Sequence, residues 1–145
     1  MIEIQLISGL PNIPTSAKFK RWINAALQHD AEITLRIVNA KEARRLNLDF
    51  RGKDYATNVL TFVYHEKNAK KLSGDIVLCA PVIAREAREQ NKPLAAHYAH
   101  LTVHGILHLT GMDHENDRDA RKMESREIKI LRELGFNDPY VPIED

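Results

Sequence analysis

Three histidines stand at spacings that could hold a metal ion, in the segment His104-Gly105-Ile106-Leu107-His108-Leu109-Thr110-Gly111-Met112-Asp113-His114. Residues four apart on a helix differ by about 40° around the axis and one turn along it. His104 and His108 can therefore aim both imidazoles at one ion from one face. On an unbroken helix His114 would sit about 9 Å beyond His108 and far around the axis. Gly111 removes that obstacle, because glycine readily takes the left-handed conformation that ends a helix and turns the chain back. Three imidazoles with a fourth position open make the donor set of a catalytic zinc site rather than a structural one. One ion per chain is expected, and nickel suits three imidazoles as well as zinc does. The bland alternative is three ordinary core or surface histidines. It is the weaker reading here, because the surrounding helix is apolar and offers few partners to a buried imidazole.

The elements that must position these residues follow from periodicity. Pro93 suits the first turn of a helix that runs to about Thr110. Its second half is apolar on every side except at its histidines, which predicts a buried central helix. Alternating or β-branched runs predict strands at 2–7, 32–38, 59–64 and 75–80. A helix capped by Thr15 or Ser16 gathers Phe19, Trp22, Ile23, Ala26 and Leu27 on one face. A short one capped by Asn39 has Ala43, Leu46 and Leu48 as its apolar members. Helices over Pro81–Gln90 and 117–134 turn inward Val82, Ile83, Ala84 and Ala87, and Ala120, Met123, Ile130, Leu131 and Leu134. The polar stretch from His65 to Gly74 predicts a hairpin with a long mobile loop. The order β-α-β-α-β-β-α-α-α predicts an α/β (α+β) fold: one domain over 1–145, with a mixed four-stranded sheet flanked by helices and a central buried helix carrying the metal ligands.

Composition narrows the function. With 43% hydrophobic and 28% charged residues the 145-residue chain is an ordinary globular protein. A net charge of +1 excludes wholesale polycationic binding to nucleic acid, so any such site must come from local clustering. One cysteine, Cys79, excludes an intramolecular disulfide and suits a reducing cytosol. The N-terminus has no signal-peptide pattern, and no apolar run reaches the roughly 20 residues of a membrane span, so a soluble cytoplasmic protein without membrane contact is expected.

The segment 104–114 resembles the hallmark of the YbeY family of endoribonucleases, His-Gly-x-Leu-His-Leu-x-Gly-x-Asp-His, at every fixed position. Arg51-Gly52-Lys53-Asp54 and Thr57-Asn58-Val59-Leu60-Thr61-Phe62 resemble the family's second motif, and Gly74-Asp75-Ile76 its third. The likeness runs from about residue 35 to 135. Family members usually carry proline before the Thr and after the Phe, where this chain has Ala56 and Val63. The resemblance implies a four-stranded mixed sheet with helices around it, zinc on the three histidines and cleavage of single-stranded RNA. It further implies a role in maturing the 3′ end of small-subunit ribosomal RNA and in ribosome quality control, with the ribosome or ribosome-associated proteins as partners. Arg51 matches the family's functional arginine. A guanidinium can fork onto two phosphate oxygens and stabilise developing charge, whereas without the resemblance Arg51 reads as a solvated loop cation.

Other residues read more plainly. His100 shares the face of His104 and is expected to support the site rather than to ligate. His97, His29 and His65 are expected to be solvated, and Cys79 to be core. Asp113 either orients an imidazole or hydrogen-bonds the helix end. Basic residues cluster at Arg44/Arg45/Arg51/Lys53, Lys67/Lys70/Lys71 and Arg85/Arg88/Lys92, and the first cluster is the candidate track for an RNA backbone. The last helix carries both signs of charge, as a solvated face does, and receives no role. Two other functions share the histidine pattern: a metalloprotease of the metzincin kind, and a non-catalytic ribosome-associated zinc protein. Zinc proteases place Glu directly after the first histidine as general base, and here that position is Gly105. Incubated with casein and with a single-stranded RNA oligonucleotide, the protein is expected to cut only the RNA, and chelator is expected to stop it. Chelator-sensitive proteolysis with intact RNA would reverse the assignment.

Overall fold

Alternation of apolar and polar residues builds the sheet, and the described residues of the computed structural model, 1–7 and 9–141, show how. β1 (Ile2–Leu6) lies parallel to β2 (Ala31–Val38), and β2 parallel to β4 (Leu72–Cys79). β3 (Val59–Val63) runs antiparallel to β4, so the mixed sheet has the order β1-β2-β4-β3. Five helices complete the chain: α1 (Ser16–Ala26), α2 (Ala40–Arg51), α3 (Ala80–Glu89), α4 (Leu94–Leu109) and α5 (Asp117–Glu133). Side chains of Thr15, Asn39 and Asn116 cap α1, α2 and α5 by accepting from the backbone of the first turn.

Because side chains alternate along a strand, each face of the sheet gathers its own core. Ile33, Leu35 and Ile37 of β2 and Leu72, Ile76 and Leu78 of β4 pack into the larger cluster with α1, α4 and α5. Val38, Leu60, Val77 and Cys79 form a smaller cluster with Ala43 of α2 and Val82 of α3. α4 is the most enclosed helix. From His97 to Leu109 every residue is buried except His100, His104 and His108, which form one half-exposed stripe at successive turns. Among the described residues no helix is long and apolar enough to cross a membrane.

All nine elements fall in the expected order, with two differences of substance. β4 begins at Leu72, not 75, because Leu72, Ser73 and Gly74 pair with Ala31, Glu32 and Ile33 of β2. That parallel ladder takes three residues from the expected loop. On α2 Ala43 is buried as expected, but the other buried residue is Asn47, fully enclosed, while Leu48 is 45% exposed. Asn47 has a specific partner: its side-chain N–H donates to the Tyr55 carbonyl at 2.9 Å, while its main-chain carbonyl accepts from Lys53 N–H at 3.3 Å. These bonds tie the loop after α2 to the helix and so fix the approach to β3. Asn47→Ala is expected to lose about 1–3 kcal/mol of stability, since it leaves a carbonyl without its donor. Arg44→Ala, which removes only an exposed pair with Asp54, should lose far less. Urea denaturation of the two variants measures the difference, and equal losses would contradict it.

Candidate active site

The histidine stripe of α4 meets a turn that glycine makes possible. Gly111 has φ +103°, and the helix closes as Gly111 N–H donates to the His108 carbonyl at 3.0 Å and Met112 N–H to Leu107 at 3.2 Å. The reversal returns Asp113 and His114 to the stripe. Ring centroids lie 6.5 Å apart for His104 and His108, 5.7 Å for His104 and His114, and 6.2 Å for His108 and His114. The first two rings are nearly parallel, 4° apart. His108, Asp113 and His114 each offer a donor atom within 4.8 Å of the others, a group able to hold a metal ion. The rings of the three expected histidines thus lie side by side, but the group whose donor atoms meet is His108, His114 and Asp113, without His104. The Asp113 carboxylate accepts from His114 N–H at 2.6 Å and lies 3.8 Å from His114 Nδ1.

Behind the stripe stands a residue that the sequence reading missed. Glu127 of α5 has 1% of its side chain exposed, and its Oε1 lies 3.1 Å from His104 Nδ1 and 3.0 Å from His100 Nε2. The other oxygen accepts from the Tyr140 hydroxyl at 2.8 Å. Burial alone would push this carboxyl up. Hydrogen bonds from His100 and His104, with their charge, outweigh it and hold Glu127 down at about 2. Burial and the Glu127 charge push the Tyr140 hydroxyl far up, so it remains a donor. The signal for Glu127 was present: it falls four residues after Met123 and four before Leu131, inside the apolar stripe of α5. His100 meets the same carboxylate as His104, one turn away.

The neighbourhood of the stripe is an open cleft of about 710 Å³ whose lining includes His104, His108, His114, Asp113, Arg51 and residues 57–62. Arg51 is the last residue of α2 rather than a loop residue, and it makes no ion pair among the described residues. Gly52, at φ +69°, ends the helix behind it. β3 is the edge strand here. Cys79 N–H donates to the Asn58 carbonyl and Tyr64 N–H to the Ser73 carbonyl, so by the antiparallel alternation the main-chain groups of Val59, Thr61 and Val63 point away from β4.

Other expectations need correction. His97 is buried, not solvated: its Nε2 lies 2.9 Å from Glu86 Oε1, which also accepts from the Asn58 side chain at 3.0 Å. Burial lowers its pKa in spite of Glu86. His65 is half-buried, with Nδ1 accepting from Ser73 N–H at 3.0 Å, while His29 is exposed as expected. Cys79 is core, and burial raises its thiol. In the first basic cluster Arg44 is already engaged by both oxygens of Asp54, at 2.6 and 3.1 Å, which leaves Arg51 as the arginine facing the cleft.

The Glu127 network has a pH signature. The folded carboxyl titrates near 2 against an ordinary 4.5, so between those values the unfolded chain binds more protons than the folded one. Its contribution to stability is complete above pH 4.5 and is lost as the pH falls toward 2. In chelator-treated protein, Glu127→Gln is expected to be less stable than the parent at pH 6, with the gap narrowed but still open at pH 3. Urea midpoints at both values measure it; a gap of constant size would show that the carboxylate is not held down.

The family model described as Endoribonuclease YbeY matches residues 10–135, starting some 25 residues upstream of the likeness seen in the sequence. A protein named Endoribonuclease YbeY from Thiobacillus denitrificans is 55% identical over 139 residues, covering 96% of this chain and 95% of that one. Another of that name from Aromatoleum aromaticum is 61% identical over 127 residues, covering 88% of this chain and 81% of its own. In structure the chain resembles the solution structure of TM1509 from Thermotoga maritima, with a TM-score of 0.57 at 26% identity, covering 97% of this chain and 99% of that one. The chain belongs to the YbeY family of endoribonucleases.

Proposed function

We propose that residues 1–145 act as one catalytic domain that cuts single-stranded RNA with the help of one divalent ion. The proposed setting is the cytoplasm, in maturation of the small-subunit ribosomal RNA 3′ end and ribosome quality control, with the ribosome or its associated proteins as partners. The single observation that carries the reading is the meeting of His104, His108, His114 and Arg51 in one cleft.

The donor set fits a metal. His104 turns Nδ1 to Glu127, which leaves Nε2 unused, and His108 Nδ1 is buried without a partner among the described residues. His108 and His114 would hold the ion, zinc or equally nickel, with the Asp113 carboxylate beside them, and His104, whose ring lies 5.7 Å from that of His114, would complete the set. Such an ion supplies a doubly positive Lewis-acid centre next to the phosphodiester. The chain's own groups do the rest. Arg51 can take two phosphate oxygens through its fork of N–H donors and pull charge from phosphorus. Outward N–H groups of Val59 and Thr61 offer further donors to a polyanion lying along the β3 edge. Glu127 holds His104 in one tautomer and one orientation, which removes reorganisation from the reaction itself.

Arg51→Lys is expected to keep the fold and the metal content but lose about a hundredfold in turnover, the usual size of effect when one preorganised donor is removed. His108→Ala is expected to lose the metal. Circular dichroism, metal analysis and single-turnover RNA cleavage test both variants. Undiminished turnover in Arg51→Lys would return that residue to a solvated cation, and unchanged metal in His108→Ala would remove the ion site.

A further inference from the structure

Phe50 precedes Arg51 on the last turn of α2, and its ring is 67% exposed. Burying a phenylalanine side chain is favourable, so packing gives no reason to hold this one in water. Its ring partner among the described residues is Phe62, edge to face, with centroids 5.2 Å apart and planes at 73°. Phe62 in turn packs against the smaller core cluster, so the pair is anchored from behind. An edge-to-face contact together with so much exposure leaves a face of Phe50 open. Both rings line the same cleft as Arg51 and the three histidines.

A ribonucleotide is a flat, largely apolar base tethered to an anionic phosphodiester. An open aromatic face with an arginine on the adjacent residue matches both halves of that unit. We propose that Phe50, braced by Phe62, is a base-stacking subsite: the nucleobase next to the scissile phosphodiester lies against the Phe50 ring while Arg51 holds the phosphate. The inference rests on the endoribonuclease reading and adds a substrate contact to it. It also gives a physical reason for single-strand selection. A base inside a duplex has both faces occupied and cannot reach the ring without being unstacked. Every base has a π-face, so the subsite tolerates all four.

The test uses one single-stranded RNA oligonucleotide with a mapped cleavage site, and versions with an abasic ribose at each flanking position. Phe50→Ala and Phe50→Leu are expected to raise KM by roughly tenfold, the order of one lost base stack, with little change in kcat. Phe50→Trp should recover most of that loss. An abasic ribose at one flanking position should cost the parent enzyme the same factor and cost Phe50→Ala nothing further, as two changes to one contact do. Multiplying losses would overturn the proposal, as would a Phe50→Leu variant that matches the parent. So would a loss in Phe50→Ala confined to the melting temperature, which would make the ring a packing element only. A readout independent of cleavage is 2-aminopurine at the same position, which should be quenched on binding to the parent protein and not to Phe50→Ala. Quenching without cleavage would sink the endoribonuclease reading and leave the stacking site. Cleavage without a difference in quenching would do the reverse.

Discussion

A carboxylate taken almost wholly out of water stays charged only if donors replace the lost hydration. Glu127 has three, from His100, His104 and Tyr140. That one group ties α5 to two successive turns of α4 and draws the segment after α5 over the same spot. It also decides which nitrogen of His104 faces the cleft, because the nitrogen bonded to Glu127 is unavailable for anything else. Removing one partner from a buried charged network typically costs about 3–5 kcal/mol, mostly through the charge left behind. The site's geometry and the packing of α5 are thus one interaction seen from two sides.

The rigidity of α4 follows from its burial. Ten of its residues are enclosed, so the helix has no freedom to roll, and the stripe of His100, His104 and His108 can face only one way. The turn at Gly111 then needs no support beyond its own backbone bonds to return His114 to the stripe. A side chain at 111 would be strained by φ +103° even though nothing lies within 4 Å of where its Cβ would stand. Conformation, not space, makes glycine the residue there.

The same two features explain what was legible beforehand. His104, His108, Gly111 and His114 are close in sequence, and helix geometry alone relates them, so their meeting could be read from spacing. The nine elements were legible because their periodicities are strong. Glu127 was not read because its charge sits among many charges of both signs, and its role comes from α4, 23 residues earlier. His97 was misjudged for the same reason: its partner, Glu86, lies on another helix. Asn47 and Leu48 exchanged places because an internal hydrogen bond to the Tyr55 carbonyl outweighed the apolar preference of the neighbouring leucine. In each case the deciding partner is tertiary or lies past a turn, where periodicity carries no information.

Position 105 decides what chemistry the histidine helix can serve. A Cβ at Gly105 would stand 3.2 Å from two carbons of Ile76 on β4, so this position faces the sheet and not the cleft. A glutamate there would be driven against the core, and the proton shuttle that a zinc peptidase needs for its leaving amine would have no place to stand. An amine leaves poorly unless protonated. A phosphodiester poses the opposite problem, since it arrives with a negative charge and gains more as it reacts. Positive charge and N–H donors are what it requires; Arg51 lines the cleft, and β3 is the edge strand beside it. The close packing of α4 on β4, which leaves little room for a side chain at 105, therefore also leaves no place beside the histidines for a peptidase's glutamate.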